Sequence, residues 1–128
     1  MSVNIDPMSL NPDTIELESY ELVLLRHTRQ GRDFDEETKE RIFREHLAYT
    51  LGLVASGQQL AAGPVPDGPG QDDEICGAGL FQQGSVDAVR RLLAKDPGVE
   101  QAYYRFDVMT WNTPKGGLAF PGRAGAGH

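Results

Sequence analysis

The order of short apolar runs and amphipathic segments is the feature that most constrains the fold of this chain. A β-prone run is followed by an amphipathic helix, two short strands, a second amphipathic helix and an aromatic-rich last strand. The predicted segments are strand 20–27, helix 36–56, strand 58–65, strand 73–83, helix 86–95 and strand 102–111. The order is therefore β-α-β-β-α-β.

That order predicts an α+β fold of the ferredoxin-like kind, in which a four-stranded antiparallel sheet carries two helices on one face. The other face of such a sheet is left bare, and a second copy of the chain usually covers it. We therefore expect a homodimer.

Residues with capping preferences mark the ends of the first helix. Asp35 is suited to the N-cap, and Gly57 to the position after the helix, where positive φ is common. Gly52, inside the helix, is expected to permit a close backbone contact. Four residues at helical spacing predict one apolar face of this helix: Phe43, Leu47, Thr50 and Val54.

Shifts in composition divide the 128 residues into three parts. Residues 1–18 have scattered apolar positions and are predicted to form an irregular arm, and residues 19–113 form the folded domain. The glycine-rich residues 114–128 are expected to be a flexible tail, because they bury too little surface to offset the entropy of ordering them.

Charge and cysteine content narrow the partners and the compartment. A net charge of −7, without a basic cluster, disfavours nucleic acid. No apolar run has the length of a membrane span, and the first residues lack the pattern of a signal peptide. The single cysteine, Cys76, excludes an intrachain disulfide. We therefore expect a cytoplasmic protein without membrane contact.

Three separated motifs resemble the signature of the YciI-like, or YCII-related, family. They are His46-Leu47-Ala48-Tyr49 in the first helix, Leu60-Ala61-Ala62-Gly63-Pro64-Val65 in the second strand, and Asp96-Pro97 before the aromatic-rich strand. The resemblance as a whole extends over residues 20–112. The resemblance implies a ferredoxin-like fold that dimerises into an α+β barrel. It also implies a site in a cleft of each protomer, with catalytic residues His46 and Asp96.

This sequence departs from the family pattern at three points. Gly98 follows the Asp-Pro pair where a bulky residue is more usual, a difference that bears on the local geometry near Asp96. The loop between the second and third strands and the N-terminal arm are both longer than in minimal members. These two differences are expected to alter access of a substrate.

His46 and Asp96 also have simpler interpretations. An imidazole titrates near neutrality and can exchange a proton with a substrate, whereas a carboxylate at its Nδ1–H fixes the tautomer. A histidine between Glu45 and Leu47 can equally be a surface residue, and Asp-Pro-Gly is common in turns. The resemblance favours the site.

Three further residues are candidates for substrate binding: His27, Arg105 and Tyr104. His27 ends the first strand, where it can line the cleft or be solvated. Arg105 and Asp107 share one face of the last strand and can be polar groups of the pocket or take part in a cross-strand ion pair. Aromatic residues of the last strand, Tyr104 among them, more often belong to cores and interfaces than to ligand sites.

The resemblance favours an enzyme, and we expect it to use neither a metal nor another cofactor. The three histidines and one cysteine have no metal-ligand spacing, and Cys76 lacks a nucleophile motif. The function that the resemblance implies is acid/base chemistry of the isomerase or lyase type, by a His46–Asp96 pair, on a small organic, often aromatic, molecule. A ligand-binding module without turnover and a purely structural interaction protein are the alternatives.

Overall fold

Four strands and four helices follow one another along residues 4–67 and 74–120, the parts of the chain that this computed structural model describes. They are β1 Leu17–His27, α1 Arg29–Arg32, α2 Glu36–Ala55, β2 Gln59–Pro64, β3 Ile75–Phe81, α3 Val86–Leu93, α4 Pro97–Glu100 and β4 Tyr104–Pro114. Two short 3-10 turns, Pro7–Ser9 and Pro12–Thr14, precede β1. All six predicted segments are present, and the single-turn helices α1 and α4 are additions to them.

The strands form one antiparallel sheet in the order β2-β3-β1-β4. This order, with the two longer helices α2 and α3 in the two crossovers, confirms the predicted ferredoxin-like α+β fold. The central strand β1 pairs with β4 over its whole length, from Leu17 opposite Pro114 to His27 opposite Tyr104. The two edges of the sheet are therefore β2 and β4.

The hydrophobic core lies between one face of this sheet and the helices. Its buried members are Val23, Leu53, Phe81, Val89 and Leu93, with Tyr49, Leu92, Phe106 and Val108 packed against them. Since side chains alternate between the faces of a strand, Phe106 and Val108 of β4 both lie on the helix side.

Helix α2 begins and ends as its capping residues predicted. Asp35 Oδ1 accepts a hydrogen bond from the Thr38 backbone N–H at 2.7 Å. Gly57 has a φ of +81°, a conformation that costs a residue with a Cβ about 1 kcal/mol or more. Nothing lies within 4 Å of a Cβ built on Gly52, so the predicted close backbone contact is absent.

The apolar face predicted for α2 is not the face that packs in the core. Phe43, Leu47 and Val54 are 46%, 41% and 37% exposed. The neighbouring stripe is buried instead, with Ile42 at 1% and Leu53 at 7% exposed. The apolar residues of α2 cover a wider arc than the sheet can contact. Only the neighbouring stripe is therefore buried against the sheet.

The first and last strands of the chain are longer than predicted. β1 begins at Leu17, inside the predicted arm, and β4 continues to Pro114, at the start of the predicted tail. Part of the loop after β2, including the predicted start of the third strand at Asp73, lies outside the described residues, as does the tail from residue 121. The division into arm, domain and tail stays a prediction.

The sheet face away from the helices exposes apolar side chains. Met109 and Trp111 are 39% and 40% exposed, and the Tyr20 ring lies 6.4 Å from Trp111 and 6.2 Å from Phe120. We refer to Tyr20, Leu22, Leu24, Met109 and Trp111 as the outer sheet face. In the described ranges, the chain has no helix long and apolar enough to cross a bilayer.

Candidate functional site

A cleft of about 530 Å³ lies between α2 and the β1–β3–β2 part of the sheet. Most of its wall consists of apolar or small residues, including those of the exposed α2 stripe and the small residues of β2. The wall also carries His46, Asp96 and Tyr104. Neither lysine nor arginine occurs among the described residues that line it. The cleft therefore suits a small, largely apolar molecule.

His46 and Asp96 meet in the wall of this cleft although they are 50 residues apart. The His46 Nδ1 lies 2.6 Å from Asp96 Oδ2. The side chain of His46 is 15% exposed and that of Asp96 is 2% exposed. His46 belongs to the α2 stripe that faces inward with Ile42 and Tyr49, at helical spacings of four and three residues.

Asp96 is held by the start of α4. It is the N-cap of that helix, Pro97 is the first helical residue, and Asp96 Oδ1 accepts the Gly98 backbone N–H at 2.8 Å. The second carboxylate oxygen is left for His46. Because a carboxylate at this position is an acceptor only, we assign the proton to His46 Nδ1. His46 Nε2 has no hydrogen-bond partner among residues 4–67 and 74–120.

Gly98, which departs from the family pattern, fits the local packing. A Cβ at this position would lie 2.6 Å from Tyr104 Cδ2 and 3.4 Å from Asp96 Oδ1. The Tyr104 ring therefore occupies the space that a larger residue 98 would need. The same ring lies 4.8 Å from the His46 ring, centroid to centroid. Glycine at position 98 therefore leaves room for Tyr104 to pack beside His46.

Burial raises the pKa of two other groups in the cleft wall, both of which are already uncharged near pH 7. It raises the pKa of the Tyr104 hydroxyl, and the nearby Cys76 and Tyr103 raise it further. Burial, followed by the charge of Glu74, also raises the pKa of the Cys76 thiol from 9.0 to about 11. Both groups are neutral near pH 7, so they can donate hydrogen bonds but carry no charge to a ligand.

The other two predicted binding residues lie outside the cleft wall. His27 ends β1 on the same sheet face as Tyr104, with its ring 5.8 Å from the Tyr104 ring. Arg105 lies on the opposite sheet face, 3.5 Å from Asp107, which also pairs with Arg26 at 2.7 Å. The structure therefore brings together His46, Asp96 and Tyr104, with His27 behind Tyr104 and Arg105 in an ion-pair cluster elsewhere.

One polar residue of the cleft wall had no signal in the sequence. Gln59, the first residue of β2, is 6% exposed and lines the cleft. A glutamine at the start of a strand of small residues belongs to no motif, so only the fold shows its position. Among the described parts of the chain, no group of three or more His, Cys, Asp or Glu residues is placed to hold a metal.

Comparisons with known proteins agree with this fold. Eleven chains of solved structures match. One is the 5-chloro-2-hydroxyhydroquinone dehydrochlorinase TftG from Burkholderia phenoliruptrix AC1100, in complex with 2,5-dihydroxybenzoquinone. The two chains are 18% identical with a TM-score of 0.50, and the match covers 72% of this chain and 90% of TftG. At this identity the similarity is evidence of a shared fold.

The comparison with sequence families gives a second match, over a similar share of the chain. The model of the YCII-related domain matches residues 21–112, which include both His46 and Asp96. No match was found among the curated proteins. The family match covers most of the chain and all the described residues that line the cleft. The chain therefore belongs to the YCII-related domain family.

Proposed function

We propose that this protein is an enzyme that performs acid/base chemistry, of the lyase or isomerase type, on a small organic and often aromatic molecule. His46 is the proton-transfer group, Asp96 supports it, and no cofactor takes part. The observation that carries the proposal is the 2.6 Å contact between His46 Nδ1 and buried Asp96 Oδ2 in the wall of a largely apolar cleft.

The proton transfer follows from the two ring nitrogens. Nδ1–H donates to Asp96, so the lone pair on Nε2 is available to remove a proton from a ligand in the cleft. The resulting imidazolium is stabilised by the Asp96 carboxylate. His46 then returns the proton to another atom of the same molecule, which is an isomerisation. If the electron pair instead expels a leaving group, the reaction is an elimination.

The similarity to TftG supports the choice of chemistry. That protein is named for a dehydrochlorination, and its structure contains a small hydroxylated quinone. Its fold is the one found here, and a reaction of that class needs one group able to accept a proton. We extend the class of reaction to this chain, and not the particular substrate.

Proton exchange tests the proposal without a known substrate. We expect the protein to accelerate exchange of acidic C–H protons into D₂O in a panel of chlorinated hydroquinones, hydroxyquinones and enolisable ketones, followed by ¹H NMR. His46→Ala should slow this exchange about 100-fold or more, because positioned general bases contribute at least that factor. Asp96→Asn should also slow it, since an amide at this position favours the wrong imidazole tautomer.

His27→Ala is the matched control, because His27 is the other histidine near Tyr104 but does not line the cleft. It should retain the exchange rate of the wild type. Equal rates for wild type and His46→Ala would disprove the role of His46. Saturable binding of panel members without exchange would instead favour a ligand-binding module, for which the apolar wall alone is sufficient.

A further inference from the structure

Gln59 places a polar group in the cleft wall away from His46 and Asp96. It follows the turn after α2, and β2 begins with it. His46 lies nine residues before the end of α2 at Ala55, which is about 13 Å along the helix axis at 1.5 Å per residue. Both side chains line the same cleft, His46 from near the middle of α2 and Gln59 from beyond its C-terminal end.

The orientation of the Gln59 amide is fixed by one hydrogen bond. Its Nε2 donates to the Ala61 backbone oxygen at 3.1 Å. Its Oε1 has no hydrogen-bond partner among residues 4–67 and 74–120. In those residues no fully buried side-chain oxygen or nitrogen lacks a partner. The Gln59 Oε1 is therefore accessible. Because Gln59 lines the cleft, we infer that its Oε1 is accessible from the cleft.

The backbone of β3 leaves space for this side chain. A Cβ built on Gly79 would lie 2.6 Å from Gln59 Nε2 and 3.8 Å from Gln59 Cδ. The amide therefore lies against the glycine, and a larger residue at position 79 would displace it. A buried amide that is held in place in this way is preorganised to accept a hydrogen bond.

We propose that Gln59 is a specificity-determining residue of this cleft, whose Oε1 accepts a hydrogen bond from a hydroxyl group of an uncharged ligand. The proposal rests on the proposed function, in which the reacting end of the same ligand meets His46. The ligand class is a neutral hydroxylated compound, such as a phenol with a second hydroxyl group. Anionic ligands are disfavoured because a carbonyl oxygen repels them and neither lysine nor arginine is among the described lining residues.

Three small phenols test this specificity by NMR titration of the full chain. The probes are hydroquinone, its monomethyl ether 4-methoxyphenol, and the anion 4-hydroxybenzoate. The wild type should bind hydroquinone about fivefold more tightly than 4-methoxyphenol, the factor expected for one neutral hydrogen bond. It should bind 4-hydroxybenzoate least. Gln59→Leu, which has no acceptor, should bind hydroquinone and the ether equally.

Two further variants separate this effect from a change in folding. Gly79→Ala keeps Gln59 but displaces its amide, and it should also abolish the preference for hydroquinone. Thr50→Val removes a different polar group from the cleft wall and should keep the preference. If Gln59→Leu fails to fold, the comparison of Gly79→Ala with Thr50→Val decides the question.

The outcomes distinguish this proposal from the proposed function. Proton exchange that depends on His46, together with equal preferences in wild type and Gln59→Leu, would disprove only the role of Gln59. A hydroquinone preference that Gln59→Leu abolishes, without any proton exchange, would support Gln59 in a ligand-binding module. No preference in the wild type, or no binding of any probe up to its solubility limit, would overturn the role of Gln59.

Discussion

Asp96 makes two different contacts, one with each oxygen of its carboxylate. One carboxylate oxygen caps α4 through the Gly98 N–H, and the other contacts His46. The cap fixes the side-chain rotamer that the contact with His46 requires. Only 1% of the Asp96 surface is exposed, so water can hardly replace these two contacts of the carboxylate. The turn chemistry of Asp-Pro-Gly and the contact with His46 are therefore two uses of the same geometry, and the two interpretations of the sequence are compatible.

The Cys76 thiol provides a test of the electrostatics of the cleft wall. Burial raises its pKa from 9.0 to about 11, so the folded state favours the protonated form. The stabilisation from this shift is complete below pH 9 and is lost as the pH rises through 11. At pH 9 the folded thiol should be about 1% thiolate, against about half in the unfolded chain.

Alkylation by iodoacetamide measures this difference, because Cys76 is the single cysteine of the chain. At pH 9 we expect the folded protein to react at least about tenfold more slowly than the same protein in concentrated urea, since the thiolate is the reacting form. The folded rate should continue to rise up to about pH 11. Equal rates at pH 9, or a plateau near pH 9 in the folded protein, would contradict the effect of burial.

At the scale of elements, local chemistry defines the ends of α2. Gly57 has a φ of +81°, whereas Gly52 lies within the helix with nothing within 4 Å of its Cβ position. We expect Gly57→Ala to lower the free energy of unfolding by about 1 kcal/mol, because alanine is strained at positive φ. Gly52→Ala should raise it by about 0.5–1 kcal/mol, because glycine lowers helix stability.

Thermal unfolding of both variants at one protein concentration measures the two shifts. A change of 1 kcal/mol should move Tm by about 3–4 °C in a chain of this size. Each variant is the control for the other, since both replace glycine by alanine within six residues. If both variants shift Tm in the same direction, a property other than backbone conformation determines the change in stability.

The elements and their order were predictable because each has a local signal: a cap, a helical period, an alternation or a turn. The core face of α2 was not, because a stripe that lines an open cleft is as apolar as one that packs in the core. Phe43 and Leu47 line the cleft, whereas Ile42 is buried in the neighbouring stripe. The single turns α1 and α4 are too short to show a helical period.

The candidate site was predictable only in part, and for a related reason. His46 and Asp96 are 50 residues apart, so their 2.6 Å contact depends on the tertiary fold. The resemblance indicated this pair, whereas local pattern alone left both residues with simpler interpretations. Arg105 shows the limit of strand alternation, which separates the two faces of β4 but does not say which face meets a cleft. The role of Gln59 could be recognised only from its packing against Gly79, which depends on the tertiary structure.

At the scale of the whole molecule, the sheet has two faces of different character. One is covered by the helices, and the outer sheet face leaves Met109 and Trp111 about two-fifths exposed. The Arg26–Asp107 pair lies on the same face, at 2.7 Å. An exposed apolar patch with polar residues at its rim is typical of a surface that a partner covers. We therefore propose that two copies of the chain pack through this face.

Met109→Asp tests this packing. A carboxylate in the centre of a buried apolar contact would be desolvated without a partner, so we expect the variant to be a monomer. Sedimentation equilibrium should give twice 14.0 kDa for the wild type and 14.0 kDa for the variant. The emission of Trp111, the single tryptophan, should move to longer wavelength in the variant, because loss of the partner exposes the ring to water.

Leu51→Asp is the matched control for the dimer. Leu51 is an apolar residue of α2 that is 57% exposed, on the helix side of the sheet. This substitution should leave the mass at twice 14.0 kDa and the Trp111 emission unchanged. If the wild type is a monomer at high concentration, the proposed dimer is disproved. Dissociation by Leu51→Asp but not by Met109→Asp would place the contact on the helix layer, where a second copy would close the mouth of the cleft.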